Sequence, residues 1–192
     1  MQRRLVGKRM AALVALALPA LLAACGSGNS PPRNPLTSGQ ASCPPITILA
    51  DGADMTRYLP GPVRDLTAMV LDARISGFDA VCDYAASDRR AIEVRISPRF
   101  YAERGPAAVG RTGELPWFVA MTDAADQDVL DRQSFITRFS FPAGTGRTTV
   151  NTQDARLRLP IGDGVAATSY VVRLSFQLTP EELALNRSRG PR

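Results

Sequence analysis

Four carboxylates fall within nine residues at Asp123, Asp126, Asp128 and Asp131. Acids at that density can supply part of the six to eight oxygens that Ca²⁺ takes. The spacing lacks the central glycine and the closing glutamate of an EF-hand loop. The plainer expectation is a solvated loop in which Asp126 or Asp128 caps a helical turn over Asp128–Gln133. A second pair, Glu103 and Glu114, flanks the segment RGPAAVGRTG at 104–113. Glycoside hydrolysis needs two carboxylates about 5–9 Å apart in a cleft. Nothing in this spacing brings them together, and both read as flanks of a surface hairpin. The segment is glycine-rich but lacks the Lys-Ser/Thr ending of a phosphate-binding loop. Trp117, the only tryptophan, sits in LPWFV and reads as core, with an interface anchor at a groove edge as the alternative.

Composition narrows the chemistry further. The chain has 192 residues, a formal net charge of +5, no histidine, and Lys8 as its only lysine. Without histidine there is no Ser-His-Asp or Cys-His nucleophile and no His-ligated zinc. Without lysine beyond position 8 there is no Schiff-base or Ser-Lys chemistry in the body of the chain. The expectation is a non-enzymatic protein with no cofactor and no metal.

The elements that would hold these residues read as strands. Tyr170, Val172, Leu174, Phe176 and Leu178 alternate with Arg173, Ser175 and Gln177, which is the period of a half-buried strand. Ala155–Leu159, Ile92–Phe100 and Phe135–Phe141 alternate in the same way, and Leu115–Met121 reads as a central strand. Leu66–Ile75, Ala80–Tyr84 and Ile46–Leu49 complete the set, with Gly77 among the turn signals between them. Seven or eight short antiparallel strands predict an all-β, two-sheet sandwich of the immunoglobulin-like kind, with a small β-barrel as the alternative. Arg156, Arg158 and Arg173 point outward and would form one basic stripe if their strands are neighbours. After the last strand, TPEEL at 179–183 is a capping box with Pro180 at the first helical position. It predicts a short helix to about Asn186, with Ser188–Arg192 frayed.

The first residues read differently. Arg3, Arg4, Lys8 and Arg9 precede the apolar run AALVALALPALLAA, which is shorter than the roughly 20 residues a membrane span takes. A basic start, a short apolar middle and small residues at its end make an export signal. Leu22-Ala23-Ala24-Cys25 resembles the lipobox of bacterial lipoproteins. The resemblance implies that residues 1–24 are removed as a signal peptide. Cys25 then becomes the first residue, carrying a diacylglyceryl thioether and an acylated amine with palmitate-type chains. Two or more acyl chains anchor a protein stably. Gly26, rather than Asp, implies delivery to the periplasmic face of the outer membrane, with the inner membrane as the alternative. The cysteine soon after the tether and the ending FQLTPEEL at 176–183 also resemble envelope lipoproteins of Gram-negative bacteria, and no catalytic motif comes with that likeness.

Removal of 1–24 leaves 19 arginines against 18 acids, so a basic surface for nucleic acid is not expected. Residues 25–42, rich in Gly, Ser, Pro and Asn, read as the lipidated, flexible tether, and 43–192 as the domain. With Cys25 lipidated and the chain exported, Cys43 and Cys82 remain as a pair in an oxidising compartment and are expected to form a disulfide. The functional expectation is a lipid-anchored module that binds or assembles a protein partner in the envelope. The alternative is a carboxylate-dependent hydrolase or a calcium-dependent carbohydrate binder. Intact-mass spectrometry of the chain from its native membrane should find a start at acylated Cys25, and an unlipidated start elsewhere would remove the anchor.

Overall fold

A computed structural model describes residues 41–62, 64–85 and 88–190. The expected signal peptide, Cys25 and all of the expected tether except Ala41 and Ser42 lie outside the described residues. Among the described residues nine strands and one α-helix follow in order: β1 (Ile46–Ile48), β2 (Asp54–Tyr58), β3 (Met69–Tyr84), β4 (Ala91–Arg104), β5 (Thr112–Asp123), β6 (Val129–Ser140), β7 (Arg147–Asn151), β8 (Ala155–Pro160), β9 (Tyr170–Phe176) and α1 (Pro180–Arg189). They form two sheets, a four-stranded one in the order β1-β9-β5-β6 and a five-stranded one in the order β2-β3-β4-β7, with β8 also on β4. Every pairing is antiparallel except β1 with β9. The fold is the expected two-sheet sandwich.

Alternation explains the layers. Val94, Ile96 and Phe100 of β4 and Leu157 and Leu159 of β8 face Leu115, Trp117 and Val119 of β5 and Val172 and Leu174 of β9, all buried. Phe100 is the hinge of this contact: its ring lies 5.9 Å from Trp117 in the opposite sheet and 5.2 Å from Phe176. Trp117 stacks on Phe135 at 4.4 Å and donates its indole N–H to the Thr137 hydroxyl at 2.9 Å, so it is core and not a groove-edge residue. Gln133 on β6 donates to the Arg156 carbonyl at 2.7 Å and links the two sheets along one side.

Several elements differ from the sequence expectation. Leu66–Ile75 and Ala80–Tyr84 are not two strands. Leu66–Ala68 is a 3-10 turn, and Met69–Tyr84 is one strand of 16 residues. A register shift between Ile75 and Gly77 inserts one residue, so Leu71, Ala73 and Ile75 face inward before it and Cys82 after it. Gly77 therefore makes a bulge and not a turn. The helical turn expected over Asp128–Gln133 is the start of β6. The β2 and β7 strands were not anticipated. The terminal helix runs on to Arg189 because Asn186 and Arg187 are anchored to the Asp51 carbonyl and carboxylate, at 2.8 and 2.9 Å.

Cys43 and Cys82 are joined in a disulfide, with Cα atoms 5.4 Å apart. Beside it the Ala41 amide donates to the Cys82 carbonyl at 3.0 Å. The bond closes a separation of 39 residues, which in the chain-entropy view contributes about 4 kcal/mol. Denaturant titration of a Cys43→Ser, Cys82→Ser double variant should show a loss of about 2–4 kcal/mol. An unchanged midpoint would mean that the bridge constrains nothing.

Candidate functional site

Strand β9 ends at Phe176, opposite Trp117. The Gln177 amide still donates to the Pro116 carbonyl at 2.9 Å, and then the chain turns into α1. Strands β5 and β6 continue past that point, pairing Thr112–Pro116 with Ile136–Ser140. At this end the four-stranded sheet is thus reduced to two strands, while β2 and β3 remain across from them. The gap is a cleft of about 590 Å³, within the range of small-molecule sites. Leu71 from β3, Val109 from the 104–111 segment and Phe139 and Phe141 from the end of β6 give it apolar walls, and Arg57, Glu114 and Arg138 give it charge.

The wall formed by 104–111 is fixed. Gly105 donates its amide to the Val70 carbonyl at 2.9 Å, and Ala107 to the Met69 carbonyl at 3.0 Å. A Cβ on Gly105 would run into the Met69 carbonyl, so only glycine allows this approach. Arg104 turns back on its own segment, donating to the carbonyls of Gly110 and Ala108, both at 2.7 Å. Arg111 grips the Phe141 carbonyl with Nε at 3.1 Å and Nη2 at 2.5 Å. Val109 is left 95 % exposed at the mouth. Opposite, Phe139 lies over Gly113, where a Cβ would collide with the ring, and meets Phe141 edge-on at 5.2 Å.

The charged walls are paired. Arg57 Nε donates to Glu182 Oε1 of α1 at 3.2 Å, and its Nη2 reaches the Met55 sulfur at 3.4 Å. Arg138 Nε donates to Glu114 Oε1 at 2.7 Å across the β5–β6 ladder. Each of the two guanidinium groups that line the cleft thus has one carboxylate partner, Glu182 behind the wall and Glu114 within it.

The residues singled out by sequence fall elsewhere, apart from Glu114. Glu103 and Glu114 do not flank a hairpin: 104–111 crosses from β4 in one sheet to β5 in the other. Glu103 is bound by Arg147 at 3.0 and 3.2 Å, and Glu114 by Arg138, so the two acids serve separate pairs. Arg156 and Arg158 lie on β8 and Arg173 lies on β9 of the other sheet, so no basic stripe forms. Acids lace the face that carries Arg156: Arg95 meets Asp83 at 2.7 Å, Arg99 meets Asp79 at 2.6 Å, and Glu93 lies 3.9 Å from Arg156.

The acidic segment is a β-turn between β5 and β6. Asp123 Oδ1 accepts from the amides of Gln127 and Asp128 at 2.7 and 3.1 Å. Asp126 adopts φ 59°, a left-handed conformation that Asp tolerates, and is held by Arg173 at 2.5 and 3.1 Å and by the Thr122 hydroxyl at 2.8 Å. Asp128 is exposed, and Asp131 sits on β6 opposite Met121. Among the described residues no three His, Cys, Asp or Glu side chains converge on a point where a metal would sit. Sequence reasoning missed the cleft itself. Its only local trace is the pair of glycines, Gly105 and Gly113, bracketing the crossover.

The chain matches no family model, no curated protein and no solved structure.

Amide hydrogen bonds from Asp128 and Gln127 hold the Asp123 carboxyl below the usual aspartate range, and the Arg173 and Thr122 side chains do the same for Asp126. A depressed folded value stabilises the turn above the ordinary pKa, and that support is lost as pH falls through the depressed value. NMR titration of the Gln127 and Asp128 amides should therefore give a midpoint below the ordinary aspartate value of about 3.9. A midpoint at or above that value would mean the amide bonds do not form.

Proposed function

We propose that this protein is a lipid-anchored, non-catalytic binding module of the bacterial cell envelope, exposed at the periplasmic face of the outer membrane, which holds its partner at the open end of the sandwich. The observation that carries the reading is the cleft: a fixed cavity with apolar walls at Leu71, Val109, Phe139 and Phe141 and two guanidinium groups, each paired with a carboxylate. Such a surface binds by burying apolar area and by charge matching.

Three further features support it. The lipobox at 22–25 supplies the anchor. The Cys43–Cys82 bond suits an oxidising compartment. Finally, Leu71 and Cys82 lie at opposite ends of β3, eleven residues or roughly 35 Å apart. Ala41, bonded to the Cys82 carbonyl, therefore lies at the end of the sandwich away from the cleft.

Val109 is the natural reporter, because its side chain is almost wholly exposed at the cleft mouth. A photo-crosslinking amino acid at position 109, in the full chain in its native membrane, should give a recurrent adduct. The same probe at Val129, an exposed residue at the start of β6, should not. Absence of any adduct at 109, or equal labelling from both positions, would overturn the binding reading.

A further inference from the structure

We propose that the ligand of this cleft is an amphiphilic anion, an acyl chain of fatty-acid type ending in a carboxylate or phosphate. The chain would lie against Leu71, Val109, Phe139 and Phe141, with the anionic head at Arg57 and Arg138. The inference rests on the binding reading above and names its ligand class.

Shape limits the candidates first. A cleft of about 590 Å³ between two sheets, closed on one side by the strapped 104–111 segment, takes a small molecule and not a folded partner. The walls are the second limit. Leu71, Val109, Phe139 and Phe141 give it apolar carbon, and the polar groups come from β2, β5 and β6. A wholly polar ligand would leave the apolar walls unfilled, and a wholly apolar one would take the exposed Arg138–Glu114 pair and the outer donors of Arg57 out of water with no acceptor added.

Hydrogen-bond donors set the sign of the head. Arg57 and Arg138 line the cleft, each paired with one carboxylate, Glu182 or Glu114. Arg57 places Nε on Glu182 and Nη2 on a thioether sulfur, a weak acceptor that an oxyanion entering the cleft outcompetes. Arg138 and Glu114 are 77 % and 52 % exposed. A surface pair of that kind is weak, so an incoming oxyanion can take the place of Glu114. Arg57 is different: Glu182 is buried and fixed by the Thr179 amide, so Arg57 stays in position whether or not the cleft is filled. One arginine is therefore a fixed post and the other an exchangeable one.

The test uses the full chain in its native membrane and a twelve-carbon carboxylate bearing a diazirine near its methyl end. Labelled peptides should map to 70–71, 108–114 and 138–141. Dodecanoate or dodecyl phosphate should compete at least roughly tenfold better than dodecanol, the scale of a charge-assisted hydrogen bond. The better competitor of the two anions tells a carboxylate head from a phosphate head. Arg138→Gln should reduce that advantage severalfold while labelling persists, and Val109→Asp, a change at an exposed side chain, should suppress labelling. If dodecanol competes as well as the anions, the anionic head is wrong and a neutral apolar ligand takes its place, with the binding reading intact. If the probe labels the protein elsewhere or not at all while position 109 still crosslinks to a protein, the acyl ligand is wrong and the partner is a polypeptide. If position 109 also yields no adduct, the binding reading falls with it.

Discussion

Thr179 accepts a hydrogen bond from the Glu182 amide at 3.2 Å, and Glu182 returns one from the Thr179 amide through Oε2 at 2.9 Å. This capping box stops extended structure just after Phe176 and starts α1. The other oxygen of the same carboxylate holds Arg57. One buried side chain thus decides where β9 ends, how α1 departs and where a guanidinium group of the cleft stands. Asn186, a turn further along, donates to the carbonyls of Asp51 and Asp54 at 2.8 and 2.7 Å and fastens the helix to the connection between β1 and β2. Had β9 continued alongside β5 toward Thr112, a third strand would fill the space that is now the cleft. Removing Arg57 would leave a buried carboxylate with one partner fewer, a costly state, so the ion pair is tied to the fold as well as to the site.

Period-two alternation carried most of the fold, and it was lost where the period changes phase. In β3 the inward set passes from odd to even residues across the bulge at Ile75–Gly77, and a pattern that changes phase reads as two strands with a turn between them. Pro98 shows the converse. A proline inside a central strand argues against that strand, yet Ile92–Phe100 was correctly read. The reason is that β8 pairs with β4 only up to Ile96 and β7 begins at Arg99, so Pro98 falls where neither neighbour needs its amide. Strands β2 and β7, at five residues each, are too short and too polar to show a period, and they form because longer strands beside them offer an edge. The capping box, a purely local signal, was legible to the residue.

The site was far less legible, because its parts are not neighbours in sequence. Arg57, Leu71, Val109, Glu114 and Phe139 come from five separate segments and meet only through sheet order. The residues that did stand out, the aspartates at 123–131 and the glutamates flanking 104–113, stood out because charge density is visible without a fold. In the fold these acids have structural work. Asp123 closes the β5–β6 turn and Asp126 ties that turn to β9 through Arg173, which also donates to Thr47 on β1. Two of the four acids are thus spent on holding the turn, a role that charge density alone does not reveal.

A cleft can be open because its walls move or because its walls are held apart, and the two cases bind differently. Here the walls are held. Arg104 and Arg111 satisfy four acceptor contacts on the crossover and on Phe141, and Gly105 docks the crossover on β3 at a distance no other residue permits. The aromatic contact of Phe100 with Trp117 and Phe176 sets the spacing of the sheets at the cleft's inner end. Little remains to be ordered when a ligand enters, so little affinity is lost to reorganisation. A preformed cleft of this kind selects by shape and charge.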